Sequence, residues 1–353
     1  MKKRIASLQK KLDELKLDAV LITNKISHRY FTKFDNPDAI LLISRENAYA
    51  FEDFRYTEVA NKMLSGIFEV IEPHGKRSVW LGDIIKKEKI QTLGIENRSL
   101  SLYDFEKLKE DLPVSFIGIN AEIEKMREVK DKWETEQIET AQKITDAAFE
   151  HIIKIISPSV TENDIASELE YFMRKHGAED KSFDTIAISG QHSSMPHGVP
   201  SNEKIQKGFL TMDFGAVING YHSDMTRTIC VGKATKEMKK VYNTVLEAQL
   251  NALDYLRAGV NCSAADDIAR KIIYKEYKGL FGHSLGHGVG LEIHEEPRLS
   301  PNYDKILVSG NVVTVEPGIY IPQKYGVRTE DMVLICENGI KNFTKSQKNL
   351  IEL

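Results

Sequence analysis

The stretch Phe209-Leu210-Thr211-Met212-Asp213-Phe214-Gly215-Ala216-Val217-Ile218-Asn219-Gly220-Tyr221-His222-Ser223-Asp224-Met225-Thr226-Arg227-Thr228 decides the reading of the C-terminal two thirds of the chain. Two runs of strand-forming residues flank Asn219-Gly220, a dipeptide suited to the two-residue turn that joins antiparallel strands. Such a loop sets Ile218 opposite Tyr221, Gly215 opposite Asp224 and Thr226 opposite Asp213. Asp213 and Asp224 then share one face as diagonal neighbours, roughly 7–8 Å apart at the backbone, near enough for their carboxylates to meet. Two like charges on a largely apolar hairpin repel, and burial makes each costlier, unless one is protonated or a cation lies between them. The alternative is that one aspartate points to solvent.

Three further segments bear on that choice. His283-Ser284-Leu285-Gly286-His287-Gly288-Val289-Gly290 sets two histidines among glycines, where backbone can approach a ligand closely, and His287 is the better ligand candidate. Asn311-Val312-Val313-Thr314-Val315-Glu316-Pro317-Gly318 reads as a buried strand that delivers Glu316 to its end. Val327-Arg328-Thr329-Glu330-Asp331-Met332-Val333-Leu334 reads as another strand, with Arg328, Glu330 and Met332 on one side. An Arg328–Glu330 pair is the simpler account of that strand, but it explains one carboxylate of four. Two aspartates, two glutamates and one imidazole suit hard-to-borderline divalent ions, Mn²⁺, Co²⁺, Zn²⁺ or Fe²⁺. Two ions with bridging carboxylates account for all five groups and leave a water able to supply hydroxide near neutral pH.

Outward from the hairpin, the chain repeats itself. A helical pattern through Ile138, Ala141, Ala148, Ile152 and Ile155 stops at Ser157-Pro158-Ser159, and Thr161-Glu162-Asn163-Asp164 restarts a capped helix. After the hairpin, Val241, Val245, Ala248 and Ala252 mark a helix that stops at Gly259, with a capped restart at Ser263-Ala264-Ala265-Asp266. Asp164-Ile165-Ala166 recurs as Asp267-Ile268-Ala269, and the same offset carries Asp213 onto Glu316. Helix, helix and carboxylate-bearing strands in each half predict a pseudo-twofold α+β domain over residues 126–353. Residues 1–125 alternate short apolar runs with amphipathic helices, as an α/β domain does, with strands at Ala19 to Thr23, Ala39 to Ser44 and Val114 to Ile119. Asp53-Phe54-Arg55-Tyr56 reads there as a salt-bridged turn.

The 353 residues exceed what one core ordinarily serves, consistent with two domains. At 41% hydrophobic and 28% charged, the composition is that of a globular protein, and a net charge of −4 without a basic patch gives no footprint for nucleic acid or a membrane surface. The three cysteines, Cys230, Cys262 and Cys336, are too few and too scattered for a disulfide framework and read as buried thiols. Ile5, Leu8, Leu12 and Leu15 recur at helical spacing where a signal core would need a continuous apolar run, so a cytoplasmic location is expected.

Met212-Asp213-Phe214-Gly215, Ser223-Asp224-Met225-Thr226-Arg227-Thr228, Gly286-His287-Gly288-Val289-Gly290 with His294-Glu295-Glu296-Pro297, Thr314-Val315-Glu316-Pro317-Gly318 and Arg328-Thr329-Glu330-Asp331 together resemble the pita-bread metallopeptidases. The similarity is to the aminopeptidase P and prolidase branch, whose members also carry an N-terminal creatinase-type α/β domain. It implies a two-metal Xaa-Pro peptidase with a metal-bridging hydroxide as nucleophile, manganese the foremost metal, acting on a peptide with proline in second position. By the same resemblance Asp224 and Glu330 bridge the metals, Asp213 binds one, and His287 and Glu316 bind the other. Glu316 also shuttles a proton, His197 and His294 contact the substrate, Tyr320 and Arg328 order the ligands, and the enzyme is a homodimer. Rival readings are a partner-binding protein on the same fold and a hydrolase related to creatine amidinohydrolase; neither needs all five ligand groups.

Overall fold

The computed structural model describes residues 1–36 and 38–353. The chain separates into two compact units, Met1–Met126 and Arg127–Leu353. In the first, α1 (Lys2–Leu15), β1 (Ala19–Ile22), α2 (Lys25–Thr32), β2 (Ile40–Ser44), β3 (Ala48–Phe51), α3 (Thr57–Leu64), β4 (Glu69–Ile71), α4 (Arg77–Lys87), β5 (Thr92–Ile95), α5 (Leu102–Asp111) and β6 (Ser115–Gly118) follow in order, and α6 (Asn120–Glu128) leads out. The strands form one mixed sheet in the order β4-β3-β2-β1-β5-β6. The three expected strands are β1, β2 and β6. Sequence reading overlooked β3, β4 and β5, all three or four residues long and without a clean alternation. Arg55 does pair with Asp53, and it also reaches Asp38 at 2.9 Å.

The second unit runs through α7 (Lys132–Ile152), α8 (Glu162–Lys175), β7 (Asp180–Lys181), β8 (Ile186–Ser189), β9 (Gly208–Phe214), β10 (Ala216–Ile218), β11 (Tyr221–His222) and β12 (Met225–Val231). Its second half runs through α9 (Lys236–Tyr255), α10 (Cys262–Tyr274), β13 (Gly286–Gly288), β14 (Glu295–Leu299), β15 (Val312–Val315), β16 (Gly318–Ile321), β17 (Tyr325–Arg328), β18 (Asp331–Cys336) and β19 (Gly339–Asn342). A helix pair followed by an antiparallel strand pair, β9 with β12 and then β15 with β18, occurs twice. Each half has its own apolar cluster beneath its helices: Leu210, Met212, Phe214, Met225 and Ile229 pack with α7 and α8, and Val313, Val315, Val333 and Ile335 pack with α9 and α10. Strand alternation therefore sends Asp213, Thr226, Thr314 and Glu316 to the opposite face, away from the helices.

The helix starts differ in how they are made. Thr161 accepts from the Asp164 amide while Asp164 accepts from the Thr161 amide, the reciprocal cap expected from the sequence. The second restart is not capped by Ser263: Asn261 holds the N-cap and accepts from the Ser263 amide. Asp266, freed from a capping role, is buried and pairs with Arg270. Ile155 lies beyond the end of α7 and is 37% exposed. Cys230 and Cys262 are buried free thiols, whereas Cys336 is partly exposed. The run Val327–Leu334 is two strands rather than one: β17 pairs with β16, β18 pairs with β15, and Thr329-Glu330 falls between the two ladders.

Candidate metal centre

At the hairpin, Asn219 and Gly220 take positive φ of 49° and 78°, Ile218 faces Tyr221, and Thr226 faces Asp213. The ladder is interrupted at Gly215, where a Cβ would lie 2.0 Å from the Ser223 carbonyl oxygen. Asp224, two residues before Thr226, shares by alternation the face that carries Asp213. Glu316 follows β15 and Glu330 precedes β18, so both come from the matching place in the second half.

The structure brings Asp224, His287 and Glu330 together, with one donor atom of each within 4.8 Å of the others. His287 Nε2 lies 3.5 Å from Asp224 Oδ2 and 3.4 Å from Glu316 Oε1, while its Nδ1 is 3.1 Å from the Gly288 carbonyl. A hydrogen bond from Nδ1 to that carbonyl leaves the Nε2 lone pair facing the carboxylates. Asp213 points its Oδ2 at Arg328, 2.6 Å away, and its Oδ1 is buried with no hydrogen-bond partner among the described residues. Arg328 therefore pairs with Asp213, not with Glu330. Tyr320 accepts from Arg328 Nη1 at 2.8 Å and lies 2.9 Å from His283 Nε2. The four carboxylates, His287, Arg328, His197 and His294 all line one cavity of about 890 Å³; Tyr320 acts from behind Arg328. His294 packs edge-on to His287, ring centres 4.4 Å apart.

The electrostatics follow from crowding acids in a dry place. Burial, then the charges of Asp213 and Glu316, holds the Asp224 carboxyl well above the usual carboxylate range. Burial followed by Asp224 and Glu316 does the same to Glu330. Glu316 is pushed up to about 8 by burial, with Arg328 opposing and Asp213 adding to the shift. Burial, with His294 adding, pushes His287 down to about 3, which keeps it a neutral donor. Mutually repelling carboxylates, an orphaned Asp213 oxygen and one neutral imidazole fit divalent cations, for a cation relieves all three at once.

The profile of Metallopeptidase family M24 matches residues 136–337, and that of the Creatinase/Prolidase N-terminal domain matches residues 4–129. The chain belongs to metallopeptidase family M24. This M24 enzyme is 40% identical to an Xaa-Pro dipeptidase of Pyrococcus furiosus over 99% of its own length and 100% of the relative's. Among solved structures it is similar to an Xaa-Pro dipeptidase from Bacillus anthracis (43% identity, 99% of each chain, TM-score 0.97) and an X-Pro aminopeptidase from Thermotoga maritima (38% identity, 97% and 100%, TM-score 0.92). Its two units thus have the expected creatinase-type and pita-bread folds.

Sequence reading of this M24 peptidase misjudged the glycines around His287. A Cβ on Gly286 would lie 2.0 Å from the Thr314 carbonyl oxygen, and one on Gly288 2.4 Å from that of Glu296. They admit the flanking backbones of β15 and β14, not a ligand. It also gave Asp266 a capping role and passed over Arg270: Asp266 accepts from the Leu285 amide at 3.0 Å, and Arg270 donates to the carbonyls of Phe281 and His283. This pair moors the segment that carries His283 and His287 to α10. Its one sequence signal is an acid and an arginine four residues apart on a helix.

Proposed function

We propose that this M24 metallopeptidase is a cytoplasmic, homodimeric enzyme that hydrolyses the bond between an N-terminal residue and a following proline, with residues 126–353 as its catalytic domain. Asp213, Asp224, His287, Glu316 and Glu330 would hold two divalent ions, manganese foremost. Bound there, such ions would polarise the scissile carbonyl and lower the pKa of a water to near neutrality. The observation that carries the reading is the convergence of these five groups, with His197 and His294, on one cavity wall.

Glu316, at the end of β15 and beside His287 Nε2, is placed to take and return the nucleophile's proton. His197 and His294 stand exposed on the wall with N–H groups available to a carbonyl oxygen as it gains charge. Tyr320 and Arg328 fix Asp213 from behind. An Xaa-Pro bond has no amide hydrogen and a fixed ring, which gives a pocket physical grounds to select it. Arg298, in the same wall, supplies a cation for the carboxylate of a dipeptide and favours the dipeptidase reading over the aminopeptidase.

The test is hydrolysis of Ala-Pro and Ala-Pro-Ala by metal-free protein before and after Mn²⁺, beside Asp224→Asn. Mn²⁺-dependent cleavage absent from the variant supports the reading, and the ratio of the two substrates separates dipeptidase from aminopeptidase. Stoichiometric Mn²⁺ binding with neither peptide cut refutes the Xaa-Pro assignment.

A further inference from the structure

Glu330 sits between two ladders, so neither β17 nor β18 fixes its peptide. Its amide donates to the Thr226 carbonyl at 3.0 Å, and its carbonyl accepts from Arg227 Nη1. Arg227 is 0% exposed and spends its five donors on the carbonyls of Thr226, Glu330, Ser346 and Gln347 and on Asp331 Oδ1. Asp331, equally buried, also pairs with Lys348 at 2.5 Å. A guanidinium fork here takes the place of the missing strand partner. It clamps the backbone of Glu330 to β12, whose Thr226 hydroxyl donates to Glu330 Oε2 at 2.7 Å.

We propose that Arg227 is a positioning residue for the metal centre, setting Glu330 against Asp224 across the junction of the two halves and drawing the 346–348 segment into that task. The inference rests on Glu330 being a metal ligand. Lysine keeps the charge opposite Asp331 but cannot reach carbonyls on three sides at once.

The experiment is Mn²⁺ titration of metal-free protein, followed by calorimetry and by bound-metal analysis after gel filtration. Wild type, Arg227→Lys, Glu330→Gln and Tyr242→Phe are compared, with near-ultraviolet circular dichroism as the check on folding. Tyr242→Phe is the control for the tail, since the Tyr242 hydroxyl donates to the Lys348 carbonyl and takes none of Arg227's five hydrogen bonds. The expected result is Mn²⁺ affinity about 10–100-fold weaker in Arg227→Lys, the range for loss of a ligand-orienting partner, and unchanged in Tyr242→Phe. Wild-type binding by Arg227→Lys, or equal weakening in Tyr242→Phe, overturns the inference. Wild-type binding by Glu330→Gln overturns the ligand assignment and the inference with it; loss there beside wild-type binding in Arg227→Lys overturns the inference alone. Should Arg227→Lys not fold, Asp331→Asn takes its place in the titration: weakened binding supports the clamp and wild-type binding overturns it.

Discussion

Asp224 and Glu316 occupy places where a carboxylate is unwelcome without a cation, and this has separable consequences for the metal-free and loaded protein. Asp224→Asn removes a repelled charge, so its metal-free form is expected to melt no lower than wild type while losing the rise in melting temperature that Mn²⁺ confers. Differential scanning calorimetry with and without Mn²⁺ checks both halves of that statement. For Glu316 the sign runs one way. Its proton is held more tightly in the folded than in the unfolded chain, so the associated stability is full below the ordinary glutamate range and lost as pH rises to about 8. His283 and His287, pushed down by burial to about 4 and about 3, act oppositely: their contribution is full above the ordinary histidine range and is lost as pH falls. Between pH 7 and 8 the carboxyl dominates, and metal-free protein should lose stability by about 1 kcal/mol per pH unit more than Glu316→Gln does. Parallel slopes for the two proteins in urea titrations would contradict this.

At the level of elements, the capped starts make a matched pair of tests. Thr161→Ala, which breaks a reciprocal cap, and Asn261→Ala should each cost about 1 kcal/mol in stability, and Ser263→Ala much less. Gly286→Ala is harsher, because its Cβ meets a carbonyl oxygen that is part of β15; a loss of about 2–4 kcal/mol or failure to fold is expected. What was legible in the sequence was what local rules fix. The Asn219-Gly220 turn gave the register that sets Thr226 against Asp213, and alternation gave the face that Glu316 takes. The break at Thr329-Glu330 was not legible, since the side-chain pattern continues through it and the interruption comes from Thr226, Thr228 and Arg227 on a distant strand. For Arg328 the strand pattern offered only a neighbour two residues away as partner, whereas the guanidinium reaches Asp213, 115 positions distant in the chain. Nor could Asp266 be seen to hold the Leu285 amide, because its local context imitates a helix cap.

For the whole molecule, the two tryptophans report separately. Trp80 packs on Phe51 in the first unit and Trp133 on Tyr221 in the second. In single-tryptophan variants, Trp80→Phe and Trp133→Phe, Mn²⁺ should raise the fluorescence melting midpoint seen through Trp133. A midpoint seen through Trp80 that rises equally would mean the units unfold as one, and a Trp133 midpoint that ignores Mn²⁺ would remove the metal from the second unit. The clamp at Arg227 also bears on how the protein is made. Asp213, Asp224, His287, Glu316 and Glu330 are all translated before Ser346 and Gln347, whose carbonyls complete the guanidinium's shell. A released chain ending at Lys345 would thus hold every donor and lack the means to hold the last one still. That purified truncated chain should bind manganese no better than Arg227→Lys does, and wild-type affinity in it would contradict the clamp.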